Sequence, residues 1–165
     1  MSIVRSKIKD ILNDNESILV FDVDGVLALL EFGEYNYYIY DDEIWDDKNK
    51  NGYNFYNENL VVKKMQKYLA CKDMKRIYVI TTVGSNNERE FKRDFVNKYY
   101  GILKENVYYV NKNRDKTSVL LKIKEKYPQL NSKNLVMIDD TVDILNEIME
   151  KTDFSTAHIS SFLDI

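Results

Sequence analysis

Short apolar runs alternate with amphipathic segments along most of this chain, and this alternation limits the possible folds more than any other feature. Runs rich in Val, Ile and Tyr predict buried strands, whereas apolar residues at helical spacing predict helices. The predicted strands cover residues 17–22, 76–82, 106–110, 135–139 and 154–160. The predicted helices cover residues 2–13, 58–71, 86–100, 116–127 and 141–151.

Strands separated by helices indicate βαβ units, whose right-handed crossovers place helices on both faces of a parallel sheet. We therefore predict a doubly wound α/β fold with a mostly parallel sheet. In such sheets ligands bind at the carboxyl ends of the strands. Polar residues at those strand ends are therefore the candidates for function.

Charge and composition exclude several classes of protein. The net charge is −3 and Lys and Arg are scattered among acidic residues, so no basic face is suited to duplex nucleic acid. With one cysteine, Cys71, and one histidine, His158, there is no internal disulfide and no Cys/His zinc spacing. We see no secretory signal and no run of about 18 apolar residues, and therefore expect a cytoplasmic protein with no membrane partner.

Two aspartates directly follow the first predicted strand. Asp22 and Asp24 are separated by one residue, so they emerge on the same side of an extended chain and are expected to share one small site. A calcium-binding EF-hand loop starting at Asp22 is excluded, because its sixth and twelfth positions would be Leu27 and Gly33 instead of Gly and Glu. The alternative is that both aspartates only cap a turn beside Gly25.

Polar residues also mark two later element ends. Thr81 ends the second predicted strand, where its hydroxyl and the backbone N–H groups that follow are suited to holding phosphate oxygens, and Thr82 is suited to the same role. The alternative is that these are ordinary β-branched strand residues. Lys116 opens a predicted helix, the end at which the helix dipole disfavours a cation, so a lysine there suggests a use. The alternative is a solvated surface lysine.

Asp139 and Asp140 end the fourth predicted strand and precede the last long helix. Adjacent carboxylates at a strand end repel each other unless a cation or a proton relieves the repulsion. The alternative is that Asp140 caps the helix, which would explain one aspartate but not both.

Taken in order, these residues resemble the four motifs of the haloacid dehalogenase (HAD) superfamily. The segment Asp22-Val23-Asp24-Gly25-Val26 is similar to the first motif, Thr81 to the second, Lys116 to the third and Asp139-Asp140 to the fourth. The match runs from about residue 18 to residue 145, which is most of the chain. The resemblance implies a Rossmann-like core with a minimal cap or none.

The resemblance also implies roles for the aspartates. Asp22 would be the nucleophile and a Mg²⁺ ligand, and Asp24 the general acid/base, with its backbone carbonyl on the metal. Asp140 would bind Mg²⁺, and Asp139 would bind it directly or through water. Having an aspartate at position 24 resembles the phosphatases and not the dehalogenases.

By the same resemblance, Thr81 would anchor the phosphoryl group, with Thr82 as the alternative anchor. Lys116 would neutralise the nucleophile and the transferring group. Elementary chemistry agrees with these roles, because phosphoryl transfer needs an in-line nucleophile and positive charge on the equatorial oxygens. Mg²⁺ prefers a few carboxylates together with waters and substrate oxygens, so it is the expected cofactor.

We therefore expect a Mg²⁺-dependent phosphohydrolase that acts on a phosphate monoester through an aspartyl-phosphate intermediate. A small-molecule phosphate ester is the expected substrate, while nucleotides, sugar phosphates and phosphorylated macromolecules all stay open. Two alternatives are a receiver-like phospho-acceptor signalling domain and a non-catalytic module that binds Mg²⁺ or phosphate. The motif order disfavours the receiver, in which the acidic pair comes first and the acceptor lies in a middle strand.

An insertion at about residues 28–57 separates the first motif from the next predicted helix, where the family carries its flap and optional cap. Because the insertion is short for a cap, we predict a hairpin-like flap or small cap within a single domain that covers residues 1–165. Its aromatic residues would either pack that hairpin or stack on a substrate. They are Tyr35, Tyr37, Tyr38, Tyr40, Trp45, Tyr53, Phe55 and Tyr56.

Overall fold

The structure is a computed structural model that describes residues 3–29, 47–48, 50–57 and 60–163. The strands are β1 (Ile18–Phe21), β2 (Ala28–Leu29), β3 (Leu60–Val61), β4 (Ile77–Thr82), β5 (Val107–Val110), β6 (Leu135–Asp139) and β7 (Ser155–His158). The helices that flank them are α1 (Ile3–Asn13), α2 (Lys63–Leu69), α3 (Asn86–Tyr100), α4 (Lys116–Glu125) and α5 (Val142–Lys151). None of the helices within the described residues has the length and apolar character needed to cross a membrane.

Five strands form a parallel sheet in the order β5-β4-β1-β6-β7. The chain moves outward from β1 through β4 to β5, and then returns to the other side of β1 for β6 and β7. The direction of winding therefore reverses between β1 and β6. In a doubly wound sheet, ligands bind at the carboxyl ends of the strands beside such a switch point.

Helices cover both faces of this sheet, as the sequence predicts for a doubly wound α/β fold. Alternate residues of each strand point to opposite faces. Leu19 and Phe21 join the apolar cluster that contains residues of α1, α2 and α3. Ile18 and Val20 join the second cluster, which contains residues of α4 and α5. The strands are therefore buried on both sides, which explains why they read as continuous apolar runs.

Most predicted element boundaries are confirmed to within one or two residues. The clearest case is α3, whose predicted range matches the structure because both of its ends carry capping residues. The Ser85 hydroxyl accepts a hydrogen bond from the Glu88 N–H at the start of the helix. At the other end, Gly101 takes the left-handed conformation with a φ of 71°, which a residue without a Cβ adopts at little cost.

The helix predicted over residues 58–71 is too long at its start. In the structure α2 begins at Lys63, and the preceding pair Leu60–Val61 forms β3. This short strand pairs antiparallel with Ala28–Leu29, which follows the first aspartate motif. The apolar spacing of this segment suits a helix, but pairing with a distant segment determines its conformation, and sequence spacing does not contain that information.

The two ends of the insertion are held together by the β2–β3 pair, as a hairpin-like excursion requires. Residues 30–46 and 58–59 lie outside the described residues, and so does the predicted role of Tyr35, Tyr37, Tyr38, Tyr40 and Trp45. Of the remaining aromatic residues, Phe55 and Tyr56 are buried and Tyr53 is partly exposed. The burial of these two side chains favours the packing alternative for them.

Candidate active site

The end of β1 lies beside the switch point and carries Asp22. Its backbone N–H continues the ladder to β6 by donating to the Ile138 carbonyl at 2.9 Å. This pairing brings Asp22 next to Asp139, the last residue of β6. The adjacency follows from the parallel register, since both strands end at the same edge of the sheet.

Lys116 lies between these two carboxylates. Its Nζ is 3.1 Å from Asp22 Oδ2 and 2.8 Å from Asp139 Oδ2, and only 1% of the side chain is exposed. Burial alone lowers the pKa of Lys116, but the neighbouring charges of Asp22 and Asp139 outweigh it and raise that pKa above its usual value. The solvated surface lysine considered from the sequence is therefore wrong. We call Lys116, Asp22 and Asp139 the Lys116 cluster.

Asp22 has an unusual environment for a carboxylate. Burial raises its pKa to about 6, opposed by the charge of Lys116 and supported by the charges of Asp139 and Asp24. Its Oδ1 is buried and has no hydrogen-bond partner among the described residues. A buried carboxylate oxygen without a partner is costly, and a bound cation or water would satisfy it.

Asp140 completes a carboxylate cluster, defined as Asp22, Asp139 and Asp140. One carboxylate oxygen from each lies within 4.8 Å of the others. Burial and the charge of Asp139 raise the pKa of Asp140, as expected for like charges in one site. The cluster fits a hard divalent cation, because its donors are carboxylate oxygens and Asp22 Oδ1 is free to coordinate.

The N-capping role considered for Asp140 is not observed. Thr141 is the N-cap of α5 and makes no side-chain capping bond, while its N–H donates to Asp139 Oδ1 at 2.9 Å. Asp139 therefore uses one oxygen for Lys116 and the other for the backbone.

His158, to which the sequence analysis assigned no role, also contacts this region. Its Nδ1 accepts a hydrogen bond from the Ser160 N–H, so its Nε2 donates to the Asp140 carbonyl at 3.0 Å.

Gly25 is required by the position of Asp140. Its φ is +73°, and a Cβ added there would lie 2.1 Å from Asp140 Oδ2. Any larger residue would therefore displace this carboxylate. The glycine of the first motif thus belongs to the candidate site through packing as well as through its turn conformation.

Asp24 lies outside the carboxylate cluster, although its charge still contributes to raising the pKa of Asp22. Its Oδ1 accepts a hydrogen bond from the Tyr56 hydroxyl at 2.8 Å, and its Oδ2 is 2.7 Å from Lys92 Nζ. The alternation of an extended strand ends at Phe21, and the following turn, in which Val26, Leu27 and Ala28 donate to the Val23 carbonyl, redirects the chain. The predicted metal contact of the Asp24 backbone carbonyl stays a prediction.

Lys92 forms a second charged cluster, which the sequence reading missed. Its Nζ is 2.7 Å from Asp24 Oδ2 and 2.8 Å from Glu88 Oε1, and its side chain is 2% exposed. We call Lys92, Asp24 and Glu88 the Lys92 cluster. The available signal was the Ser85-x-x-Glu88 capping pattern with a lysine four residues after the glutamate, a spacing that also suits a solvent-exposed ion pair.

The two threonines at the end of β4 differ in their partners. Thr81 is 1% exposed, and its hydroxyl has no partner among the described residues. The Thr82 hydroxyl donates to Asn113 Oδ1. The N–H groups expected to hold phosphate are already engaged, since Val83 donates to the Val110 carbonyl and Gly84 to Glu88 Oε2. Of the two hydroxyls, that of Thr81 is therefore the one available to a ligand.

Comparisons with known proteins bear on the fold but not on the activity. No protein-family model matches the chain, and no curated protein matches it. Among solved structures, the chain is similar to DsGPDH of Dunaliella salina, with 16% sequence identity and a TM-score of 0.54. The match covers 93% of this chain and 25% of that chain. At this identity the likeness supports the α/β fold alone, and the chain spans one quarter of that protein's length.

Proposed function

We propose that this protein is a Mg²⁺-dependent phosphohydrolase of the HAD type, with Asp22 as the nucleophile. The observation that carries the proposal is the position of Lys116 Nζ between Asp22 and Asp139 at the switch point, beside a carboxylate cluster in which Asp22 Oδ1 is free. A nucleophile, a cation and metal-binding oxygens are the groups that phosphoryl transfer needs. Separate regions of the chain supply them, in the order of the four motifs.

In the first chemical step, a carboxylate oxygen of Asp22 attacks phosphorus, and the bond between phosphorus and the ester oxygen breaks. The protonated Asp24 carboxyl gives its proton to that oxygen, which leaves as an alcohol. In the second step, the Asp24 carboxylate takes a proton from water as the water oxygen attacks phosphorus. The aspartyl–phosphorus bond then breaks, which releases inorganic phosphate and restores Asp22.

The remaining residues set the electrostatics of these steps. When bound, Mg²⁺ supplies positive charge to the transferring phosphoryl group. Asp22, Asp139 and Asp140 would hold it, and Lys116 places a buried ammonium against Asp22. The free hydroxyl of Thr81 is the proposed phosphoryl anchor, in preference to Thr82. A small-molecule phosphate ester is the proposed substrate.

A phosphate-release screen over a panel of phosphate monoesters with Mg²⁺ tests this proposal. Asp22→Asn should lower kcat at least about a thousandfold, because it removes the nucleophile and keeps the side-chain shape. Asp10→Asn, a change in helix α1 away from the sheet edge, is the matched control and should leave kcat unchanged. EDTA should abolish turnover, and added Mg²⁺ should restore it.

Two results would contradict the proposal. Asp22→Asn that keeps turnover within about tenfold of the wild type, a barrier change of only about 1.4 kcal/mol, would exclude Asp22 as the nucleophile. A wild-type protein that forms a stable phosphorylated Asp22 without releasing phosphate would instead indicate a phospho-acceptor domain. Mass spectrometry of the protein after incubation with acetyl phosphate would detect that product.

A further inference from the structure

Lys92 is buried at the boundary between α3 and the candidate active site, and all of its hydrogen-bonding capacity is used. An ammonium group has three donors. Those of Lys92 reach Asp24 Oδ2 at 2.7 Å, Glu88 Oε1 at 2.8 Å and the Thr82 carbonyl at 2.5 Å. One buried side chain therefore connects the first aspartate motif to the end of β4.

Lys92 pairs with two carboxylates, of which Glu88 is buried and Asp24 is not. Glu88 is 4% exposed, is four residues away on the same helix and already pairs with Lys92. The charges of Asp24 and Glu88 outweigh the effect of burial and raise the pKa of Lys92 above its usual value, so the lysine stays charged. Asp24, by contrast, has 48% of its side chain exposed and would be solvated by water without any partner. The contact therefore orders a carboxylate that is accessible to solvent.

Tyr56 orders the same carboxylate from the other side. It is 3% exposed, packs on Phe95 and donates its hydroxyl to Asp24 Oδ1 at 2.8 Å. Burial and the charge of Asp24 raise the pKa of Tyr56 well above its usual value, so the hydroxyl keeps its proton and remains a donor. Both oxygens of Asp24 thus accept from rigid, buried groups.

We infer that Lys92 and Tyr56 are positioning residues that hold Asp24 outside the carboxylate cluster, in the orientation for proton exchange with the leaving group. The inference rests on the proposed function. Hydrogen bonds to a carboxylate strengthen as it becomes charged. The two bonds therefore stabilise Asp24 as its proton moves to the leaving oxygen, and their contribution is largest in that transition state.

This role depends on the leaving group, which separates it from a purely structural role. An alkoxide leaving group needs a proton when the ester bond breaks, whereas 4-nitrophenolate needs little help from an acid. Benzyl phosphate and 4-nitrophenyl phosphate are probes of similar size that differ in this respect. Losing the orientation of Asp24 should therefore lower kcat/KM selectively for benzyl phosphate.

The experiment compares kcat/KM for the two probes in the wild type, Tyr56→Phe and Lys92→Met, because kcat/KM reports formation of the aspartyl phosphate and not the hydrolysis step that both probes share. We expect kcat/KM for benzyl phosphate to fall about tenfold in Tyr56→Phe and about a hundredfold in Lys92→Met, with losses for 4-nitrophenyl phosphate at least about fivefold smaller. Tyr78→Phe, which removes a hydroxyl bonded to Tyr127 at the opposite end of β4, is the matched control and should leave both rates unchanged.

Asp24→Asn provides a further readout. In that background, adding Tyr56→Phe should cause no additional selective loss, because the group that Tyr56 orients has lost its function. If Lys92→Met does not fold, Lys92→Met with Glu88→Gln removes the unpaired charge, and Tyr56→Phe tests the inference independently.

The possible failures are distinguishable. Equal losses for both probes, no loss for either, or an additive loss in the Asp24→Asn background would overturn the positioning role while Asp22-dependent turnover remains. A wild type that hydrolyses neither probe nor any member of the monoester panel would overturn the proposed function, and the inference with it.

Discussion

The Lys116 cluster and the Lys92 cluster each hold one buried ammonium between two carboxylates, but they differ in their access to solvent. The carboxylates around Lys116 are 12% and 0% exposed, whereas Asp24 in the Lys92 cluster is 48% exposed. The lysines also reach the sheet edge from opposite faces, because Lys116 begins α4 and Lys92 lies in α3.

This difference shows how one sheet edge supports two kinds of carboxylate. A closed cluster holds charges whose interaction is strengthened by the low-dielectric interior. An open cluster holds a carboxylate that is ordered and still accessible to a leaving group or to water. The turn at Val23 separates the two, since it directs Asp22 toward Lys116 and Asp24 toward Lys92.

The largest expected effect comes from breaking the closed cluster. Lys116→Met leaves two carboxylates in the interior without their cation, so we expect the free energy of unfolding without metal to fall by about 3–5 kcal/mol. Urea denaturation in EDTA measures this loss. Lys92→Met should cost less, about 1–3 kcal/mol, because Asp24 can turn to water and Glu88 keeps its bond to the Gly84 N–H.

Lys122, an exposed residue on the same helix as Lys116, supplies the control. Lys122→Met should change the free energy of unfolding by less than about 0.5 kcal/mol. Equal losses for Lys116→Met and Lys92→Met would remove the distinction between a closed and an open cluster.

A second, smaller effect concerns the pH dependence of the metal-free protein. The pKa of Asp22 is raised from 3.8 to about 6, so the folded state binds this proton more tightly than the unfolded state. The resulting stability is present below the ordinary pKa and is lost as the pH rises through about 6. Asp22→Asn removes this dependence. The free energy of unfolding of the variant minus that of the wild type should therefore rise by about 2–3 kcal/mol as the pH is raised from about 4 to about 7.5, because only the wild type loses this stability.

Urea denaturation of both proteins in EDTA at a series of pH values measures that difference. Adding Mg²⁺ at the upper pH should stabilise the wild type more than Asp22→Asn, since the metal replaces the proton. A difference that stays constant with pH would contradict the raised pKa of Asp22.

The smallest expected effect concerns Gly25, which follows Asp24 in the chain and packs against Asp140. Gly25→Ala and Gly101→Ala both place a Cβ at a positive φ, +73° and +71°, and both should cost about 1 kcal/mol in stability for that reason. Only Gly25→Ala also pushes against the Asp140 carboxylate, because nothing lies within 4 Å of a Cβ at Gly101. We therefore expect Gly25→Ala alone to weaken Mg²⁺ binding, by about tenfold, in isothermal titration calorimetry. Unchanged binding would show that Asp140 does not hold the metal.

The elements that follow from local patterns are those that sequence reasoning predicted well. The strands of the parallel sheet read as apolar runs because both of their faces are buried, and α3 carries its own start and stop residues at Ser85 and Gly101. β3 was predicted wrongly as part of a helix because its conformation depends on pairing with β2, more than thirty residues earlier.

For the candidate site, the sequence alone determined which residues lie at the carboxyl ends of the strands, because the order of strands and helices places Asp22, Thr81 and Asp139 at one edge. The direction of each side chain depended on the tertiary structure. The turn after Asp22 separates its carboxylate from that of Asp24, and the packing of α3 buries Lys92, whose spacing from Glu88 is equally typical of an exposed surface. Burial is a property of the assembled layers and not of a local segment. The burial of Lys92 and its contact with Asp24 could therefore be found only once the helix lay against the sheet.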